Sequence, residues 1–403
     1  MSVVNLETLV AEIRARAALP LEQARALPPD AYRSAALLER ELERIFRREW
    51  ICVAREDELA EPGHFLATDV AGEPVLLVRG DDGRARALAN SCRHRFAKLA
   101  TGRARTRRFV CPYHAWAYDL EGRLVGAPHM EEAHGFVGAN CHLPELQLES
   151  WNGFLYVNLD DGAVPLAPRL AGATARLERH GLARMHLLAA GEEVWDANWK
   201  LVAENAMESY HVFQGHRTTL QPVFPTELLR LERGAPGYNL HSSPMREGTK
   251  FPGMGPDALR ANPDLPADQS EVLWLVCVYP AHIVVALPAG YIALDVQPLG
   301  IAQSRVRWRV GSSAPVPPAD TPAGEAARGA ARTSTEAVNS EDRALVAAVQ
   351  QGLASSRAES GRLSHLELPV WEFIGYLARK LGDERGGDGG TRTPDTADMS
   401  RLL

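Results

Sequence analysis

The sequence predicts an α+β chain, in which a small all-β domain is followed by a helix-flanked antiparallel sheet. Three observations predict it. Residues up to about 49 carry apolar positions at helical spacing, residues 50–158 break into short strands between glycine-containing turns, and a second strand-rich stretch gives way to a helix rich in Ala, Glu and Arg at about 321–354. These shifts divide the chain into N-terminal helices over 1–49 that pack on the second domain, the β domain over 50–158, the second domain over 159–385 and a polar tail over 386–403.

The elements follow in order. Leu37, Leu38, Leu42, Ile45 and Phe46 form an apolar stripe on a helix between Tyr32 and Trp50. Asp81-Asp82-Gly83 between PVLLVRG and RARALAN is a hairpin signal. RRFVCPYH, WAYDLEGRLVG and GFLYVNL continue the β domain, and helical spacing returns at 166–181. The stretch 215–270 is dense in Pro and Gly and is expected to form loops. VLWLVCVYP, HIVVALP, GYIALDVQPL and SRVRWRVG supply the second sheet, and WEFIGYLARKL makes a last helix. The tail GGDGGTRTPDTADMSRLL is too polar to pack and is expected to be mobile.

Composition narrows the function. With 45% hydrophobic and 24% charged residues over 403 positions, the chain is globular and long enough for two domains. A net charge of −7 argues against nucleic-acid binding, and no apolar run is long enough to cross a membrane. The first twenty residues read as an amphipathic helix rather than a signal peptide, so a cytoplasmic location is expected. Five scattered cysteines do not make a disulfide framework.

Two of the cysteines, Cys92 and Cys111, have a histidine two or three positions on. Cys92-Arg-His94 is followed after sixteen residues by Cys111-Pro-Tyr-His114. Two Cys plus two His suit a tetrahedral zinc or a [2Fe–2S] cluster with imidazole on one iron. Zinc sites of this composition pair like ligands. Here each short loop is mixed, which lets both cysteines bind one iron and both histidines the other. The motif C-x-H…C-P-Y-H-x-W, with CRHRFAKLATG and CPYHAWAYDLEGRLVG around it, resembles the cluster motif of Rieske non-heme iron ring-hydroxylating oxygenases, α subunit. Neither loop carries the extra cysteine usual in respiratory Rieske proteins. The resemblance implies a Rieske [2Fe–2S] domain and a mononuclear-iron catalytic domain.

A second constellation is Asn198-Trp199-Lys200-Leu-Val-Ala-Glu204-Asn205-Ala-Met-Glu208-Ser-Tyr-His211, which reads as one helix with Glu204, Glu208 and His211 on one face. Gly215 breaks the pattern before His216. Open Fe(II) oxygenase sites take two histidines and one carboxylate. The resemblance implies His211 and His216 as iron ligands and a distant acidic residue as the third. Asp342 is the choice and Glu341 the alternative. Glu208 stands where the family often has an Asp bridging the cluster of one subunit to the iron of its neighbour. Glu at that place is similar to the subgroup that oxidises glycine betaine, stachydrine or carnitine.

The resemblance therefore implies a terminal oxygenase taking O₂ and electrons that originate in NAD(P)H. These would arrive through a separate ferredoxin, a flavin reductase or both, since no G-x-G-x-x-G follows a strand. It also implies a homotrimer. The substrate expected is a small organic molecule, hydroxylated or N-demethylated, with a quaternary ammonium or amino-acid-like compound favoured over an aromatic acid. A Rieske electron-transfer protein without oxygenase activity is the rival class. Arg93, Arg95, Lys98, Arg103, Arg105, Arg107 and Arg108 make a basic rim suited to an acidic electron donor. Phe213, Trp274, Tyr279, Tyr291, Trp371 and Phe373 are candidate pocket walls able to stack a ring or cage a cation, with Asp295 or Glu372 as countercharge.

Overall fold

The computed structural model describes residues 5–249, 262 and 264–382. The expected mobile tail and part of the expected 215–270 loop region lie outside these. Its helices are α1 (Leu6–Ala17), α2 (Ala35–Glu41), α3 (Leu166–Arg169), α4 (Ala171–Leu177), α5 (Trp199–Met207), α6 (Val212–Gly215), α7 (Pro322–Gly352) and α8 (Leu368–Leu381). Among the described residues, none is long and apolar enough to cross a membrane.

Strands between Ile51 and Asn158 build a seven-stranded antiparallel sheet in the order Ile51–Arg55, Phe154–Asn158, Glu145–Trp151, Ala85–Ala89, Glu73–Arg79, His64–Val70, Arg103–Arg105. Asp81-Asp82-Gly83 makes its expected hairpin, with Gly83 at φ +76° and Asp82 accepting from Arg84 N at 3.0 Å. A three-stranded sheet of Phe109–Val110, Ala117–Tyr118 and Leu124–Gly126 carries one cysteine loop. The second seven-stranded antiparallel sheet runs His186–Trp195, Gln303–Ser312, Gly290–Gly300, His282–Leu287, Val272–Val278, Tyr238–Pro244, Arg230–Ala235.

Two of those strands correct the sequence reading. Arg230–Ala235 and Tyr238–Pro244 lie inside the expected 215–270 loop region. Gly234 and Gly237 mark a bulge and tight turn of a hairpin rather than a loop: a Cβ on Gly234 would come within 2.3 Å of Tyr238 O. The expected helix between Tyr32 and Trp50 forms as α2, continuing through one wider turn at Leu42–Phe46.

The two seven-stranded sheets are welded together. Val53, Val75, Leu77 and Leu155 of the first share one core with Leu275, Ile283 and Val306 of the second, and with Leu9, Ile13, Phe373 and Leu377 where α1 packs on α8. Alternate residues of Gln303–Ser312 face the first domain, as the two-residue period of a strand requires. Arg305 bonds Asp69 at 2.9 Å, and Arg307 bonds Thr68 at 2.7 Å. Arg309, 3% exposed, bonds Glu58 at 2.6 Å and Val53 O at 2.9 Å and pairs with Asp295. Burial opposes the Arg309 charge, but the Glu58 and Asp295 carboxylates hold it on, and the same pairing pulls Glu58 below the usual carboxylate range against its own burial.

Candidate metal centres

The Cys92 and Cys111 loops are twins. In each, the residue four positions on donates to the cysteine carbonyl: Phe96 N to Cys92 O at 2.9 Å, and Ala115 N to Cys111 O at 3.0 Å. Each cysteine N–H then bonds the carbonyl five positions on, Cys92 to Ala97 at 2.9 Å and Cys111 to Trp116 at 2.7 Å. Both turns close through a non-glycine residue in the left-handed region, Phe96 at φ 61° and Ala115 at φ 58°, a conformation kept where the surroundings enforce it. Asn90 is one enforcer, accepting from Leu99 N at 3.0 Å and Ala100 N at 3.1 Å while donating to Ala100 O at 2.9 Å.

The loops bring the four predicted residues together. The His94 and His114 rings lie 4.6 Å apart, and His94 stacks on Trp116 at 4.9 Å. Both cysteines are buried. Tyr118 reaches Cys92 Sγ at 3.4 Å. Burial resists ionising Cys92, yet hydrogen bonding from Tyr118, from the loop amides and from Cys111 lowers its pKa, which favours the thiolate a metal needs. His94 Nδ1 is buried without a hydrogen-bond partner, a nitrogen left over for a metal. The donor set fits a Rieske cluster.

The second constellation forms differently from the expectation. α5 ends at Met207, and Glu208 is extended at φ −119°, so Glu204, Glu208 and His211 do not share a helical face. Glu204 points away to the Tyr32 hydroxyl at 2.8 Å, and burial lifts its pKa to about 8. His211 opens the separate turn α6, and His216 closes it. α7 delivers Asp342. Asp342 Oδ1 lies 3.1 Å from His216 Nε2 and 3.4 Å from His211 Nε2, with the imidazole rings 5.1 Å apart.

Each histidine is fixed from behind. His211 Nδ1 meets Glu208 Oε1 at 2.5 Å, and His216 Nδ1 meets Glu341 Oε2 at 2.7 Å. Thr219 steadies Glu341 at 2.6 Å. Both Nε2 atoms thus face the centre while both Nδ1 atoms are tied to carboxylates, the arrangement that orients metal-binding histidines. Glu341, the alternative third ligand, is occupied behind His216. Asn205 was not singled out from sequence, although its Nδ2 touches both His211 Nε2 at 3.2 Å and Asp342 Oδ1 at 2.9 Å.

Among the described residues, two groups of metal-ligand side chains converge within 4.8 Å: His211, His216 and Asp342, and Cys52, His282 and Asp295. In the second group Arg309 already supplies the cation, pairing with Asp295, so that group reads as part of the domain weld. In the first, no cationic Lys or Arg among the described residues pairs with Asp342. Burial opposes His211 protonation, but Asp342 and Glu208 raise its pKa to about 10. An ion bound there must displace that proton. Affinity for Fe(II) is therefore expected to rise with pH between about 6 and 8, by about tenfold per unit for each proton released. Competition titrations that gave a pH-independent affinity would contradict this.

The centre opens on a cavity of about 140 Å³, partly open to solvent. Its walls correct the sequence reading. α7 presents Ser334, Thr335, Val338, Asn339 and Asp342 on one helical face. The second sheet presents Leu273, Leu275, Ile283, Val285, Ile292 and Leu294. None of the six aromatic candidates lines it, and α8 takes no part. Trp274 and Tyr291 sit on the opposite face of the sheet in a separate core. Tyr279 and Phe373 are in the shared core, Trp371 bonds Leu19 O at 2.8 Å, and Phe213 is 46% exposed on the surface. The proposed countercharges are also elsewhere: Asp295 serves Arg309, and Glu372 bonds Gly234 N at 3.0 Å.

A cluster-binding β domain joined to a carboxylate-backed pair of histidines and an Asp defines a Rieske-type oxygenase chain. Residues 49–147 match the Rieske [2Fe-2S] domain, and residues 174–383 match the ring hydroxylating alpha subunit catalytic domain, so the chain belongs to that family. It is 35% identical over 192 residues to the carnitine monooxygenase oxygenase subunit of Acinetobacter baumannii, covering 47% of this chain and 52% of that one. It is 32% identical over 213 residues to the glycine betaine monooxygenase oxygenase subunit of Chromohalobacter salexigens, covering 53% and 48%. The matched stretch thus spans about half the length of these relatives. The fold is similar to that of the quaternary ammonium Rieske monooxygenase CntA, with a TM-score of 0.79 and 23% identity over 92% of this chain and 98% of that one. It is also similar to naphthalene 1,2-dioxygenase from Rhodococcus sp., with a TM-score of 0.73 at 19% identity over 93% and 97%.

Proposed function

We propose that this chain is the terminal oxygenase of a multicomponent system, hydroxylating or N-demethylating a small organic molecule with O₂. One observation carries the reading: two histidines and one carboxylate converge at the mouth of an apolar cavity, in a chain that also holds a paired Cys-His, Cys-His site. An electron carrier has no use for the cavity. In this reading Cys92, His94, Cys111 and His114 hold the [2Fe–2S] cluster, and His211, His216 and Asp342 hold the mononuclear iron. When bound, these groups supply one-electron transfer and O₂ activation. Leu273, Leu275, Ile283 and Val285 keep water from the reacting carbon, while Glu208 and Glu341 set the imidazoles. Electrons originate in NAD(P)H and reach the cluster through a separate ferredoxin, a flavin reductase or both. The iron content tests this directly. The oxygenase requires three irons per chain, and an electron-transfer protein only two.

The reading extends to a cytoplasmic homotrimer, and two features support the contact between identical chains that such an assembly needs. Glu208 borders the exposed aromatics Tyr210 and Phe213, and the cluster loops carry exposed Phe96, 82% accessible, and Tyr113. The reported structure of CntA concerns inter-subunit electron transfer. A cluster docked beside Glu208 of a neighbouring chain would pass its electron through the Glu208–His211 hydrogen bond. Glu208→Gln is then expected to keep cluster reduction and iron content but lower turnover by roughly 10- to 100-fold. Unchanged turnover would remove Glu208 from the path. Of the basic rim, Arg95 lies over the Tyr113 ring at 5.2 Å, while Arg103 and Arg105 are paired with Glu58 at 3.0 Å and Glu61 at 2.7 Å.

A further inference from the structure

We infer, resting on the oxygenase reading, that the substrate is a neutral molecule, apolar over most of its length, with one uncharged polar group. This departs from the betaine-type substrates in the names of the relatives. The cavity walls carry the inference. Leu220, Phe224 and six aliphatic side chains of the second sheet make most of the surface. The only charged or titratable side chains among the described lining residues are Glu208, His211, His216 and Asp342, all at the metal end.

Neither carboxylate is available to a substrate cation. Glu208 is engaged by His211 Nδ1 at 2.5 Å and His211 N at 3.2 Å. Asp342 is shared between both histidines and Asn205, and a divalent ion there would outweigh its single charge. Among the described lining residues Phe224 is the only Phe, Tyr or Trp, so these residues do not by themselves form a cage of rings for a trimethylammonium. No Lys or Arg among them meets a carboxylate such as a betaine carries. A charge drawn from water into such walls without a partner is strongly disfavoured.

The polar residues point to the uncharged group. Thr226 donates to Ser209 O and Gln221, Ser209 is bonded to His241, and Thr335 donates to Ala331 O. The hydroxyls of Ser243, which is 4% exposed, and Ser334 line the cavity with no protein partner among the described residues. They suit an amide, urea, ether or hydroxyl of the substrate.

The test uses a pair of equal shape and different charge, tert-butylbenzene and the phenyltrimethylammonium cation, bound to the full-length iron-loaded chain and followed by calorimetry. The neutral member is expected to bind at least tenfold more tightly. Val338→Glu, which puts a carboxylate in the cavity wall, is expected to shift the preference at least tenfold towards the cation, with Ser334→Asp as a second variant should the first fail to fold. Equal or tighter binding of the cation by the unaltered chain, or no binding of either, overturns the inference. Product analysis with a reductase, comparing an N,N-dimethyl arylamide with glycine betaine, separates the two readings. Product from betaine alone overturns the neutral substrate and keeps the oxygenase, while product from neither, with a reducible cluster and full iron, sinks the oxygenase reading whatever binds.

Discussion

His211→Ala is expected to remove the mononuclear iron and abolish turnover while the visible absorption of the cluster survives. The iron content should fall from three to two per chain. The separation is physical. His211 opens the helical turn α6, while Cys92, Cys111, Trp116 and Tyr118 form part of a separate core in the first domain. Losing one of three protein ligands leaves Asp342 and His216 too few to hold Fe(II), and it also frees Glu208 from its hydrogen bond. His211→Gln keeps the bulk without the imidazole and should behave alike. If the absorption vanished with the iron, or turnover persisted, the division of labour between the two centres would be wrong.

Arg309→Leu is expected to cost about 3–5 kcal/mol of stability, because it strips Asp295 of its arginine and leaves the buried Glu58 with only the exposed Arg103 beside it. The sign with pH follows from Glu58. Its pKa is lowered in the folded chain, so its pairing stabilises above the unfolded pKa and is lost as pH falls through the folded one. The gap between variant and parent should therefore narrow on acidification below about pH 5. Thermal denaturation across that range measures it. A loss under about 1 kcal/mol at neutral pH would mean that the weld rests on its apolar core alone.

What could be read from sequence depended on how local the cause was. The cluster residues were legible because each loop supplies its own cysteine and histidine within four positions. His211 and His216 stand five positions apart, and the structure brings them together. Asp342 arrives from more than a hundred residues away, and only its acidic setting on a helical pattern marked it. The end of α5 at Met207 was not legible. Glu208, Ser209 and Tyr210 all tolerate helix, and the stop comes from the need to turn His211 towards Asp342. The pocket walls were misread because aromatic residues drew attention from alternation. In Leu273-Trp274-Leu275 and Tyr291-Ile292 the aromatic side chains face one side of the sheet, and the aliphatic neighbours face the cavity. The two-residue period contained that answer once either face was known.

The weld between the sheets limits how far the two centres of one chain can move towards each other. Arg305, Arg307 and Arg309, bonded across beside a shared apolar core, tie the domain of the cluster loops to the second sheet of the same chain. A stiff chain cannot swing a donor towards its acceptor as jointed redox proteins do. Where the working pair is completed by a neighbour, each molecule is idle until it meets its kind. Specific activity should then fall on dilution with the dissociation of the assembly, making cellular concentration a control on flux.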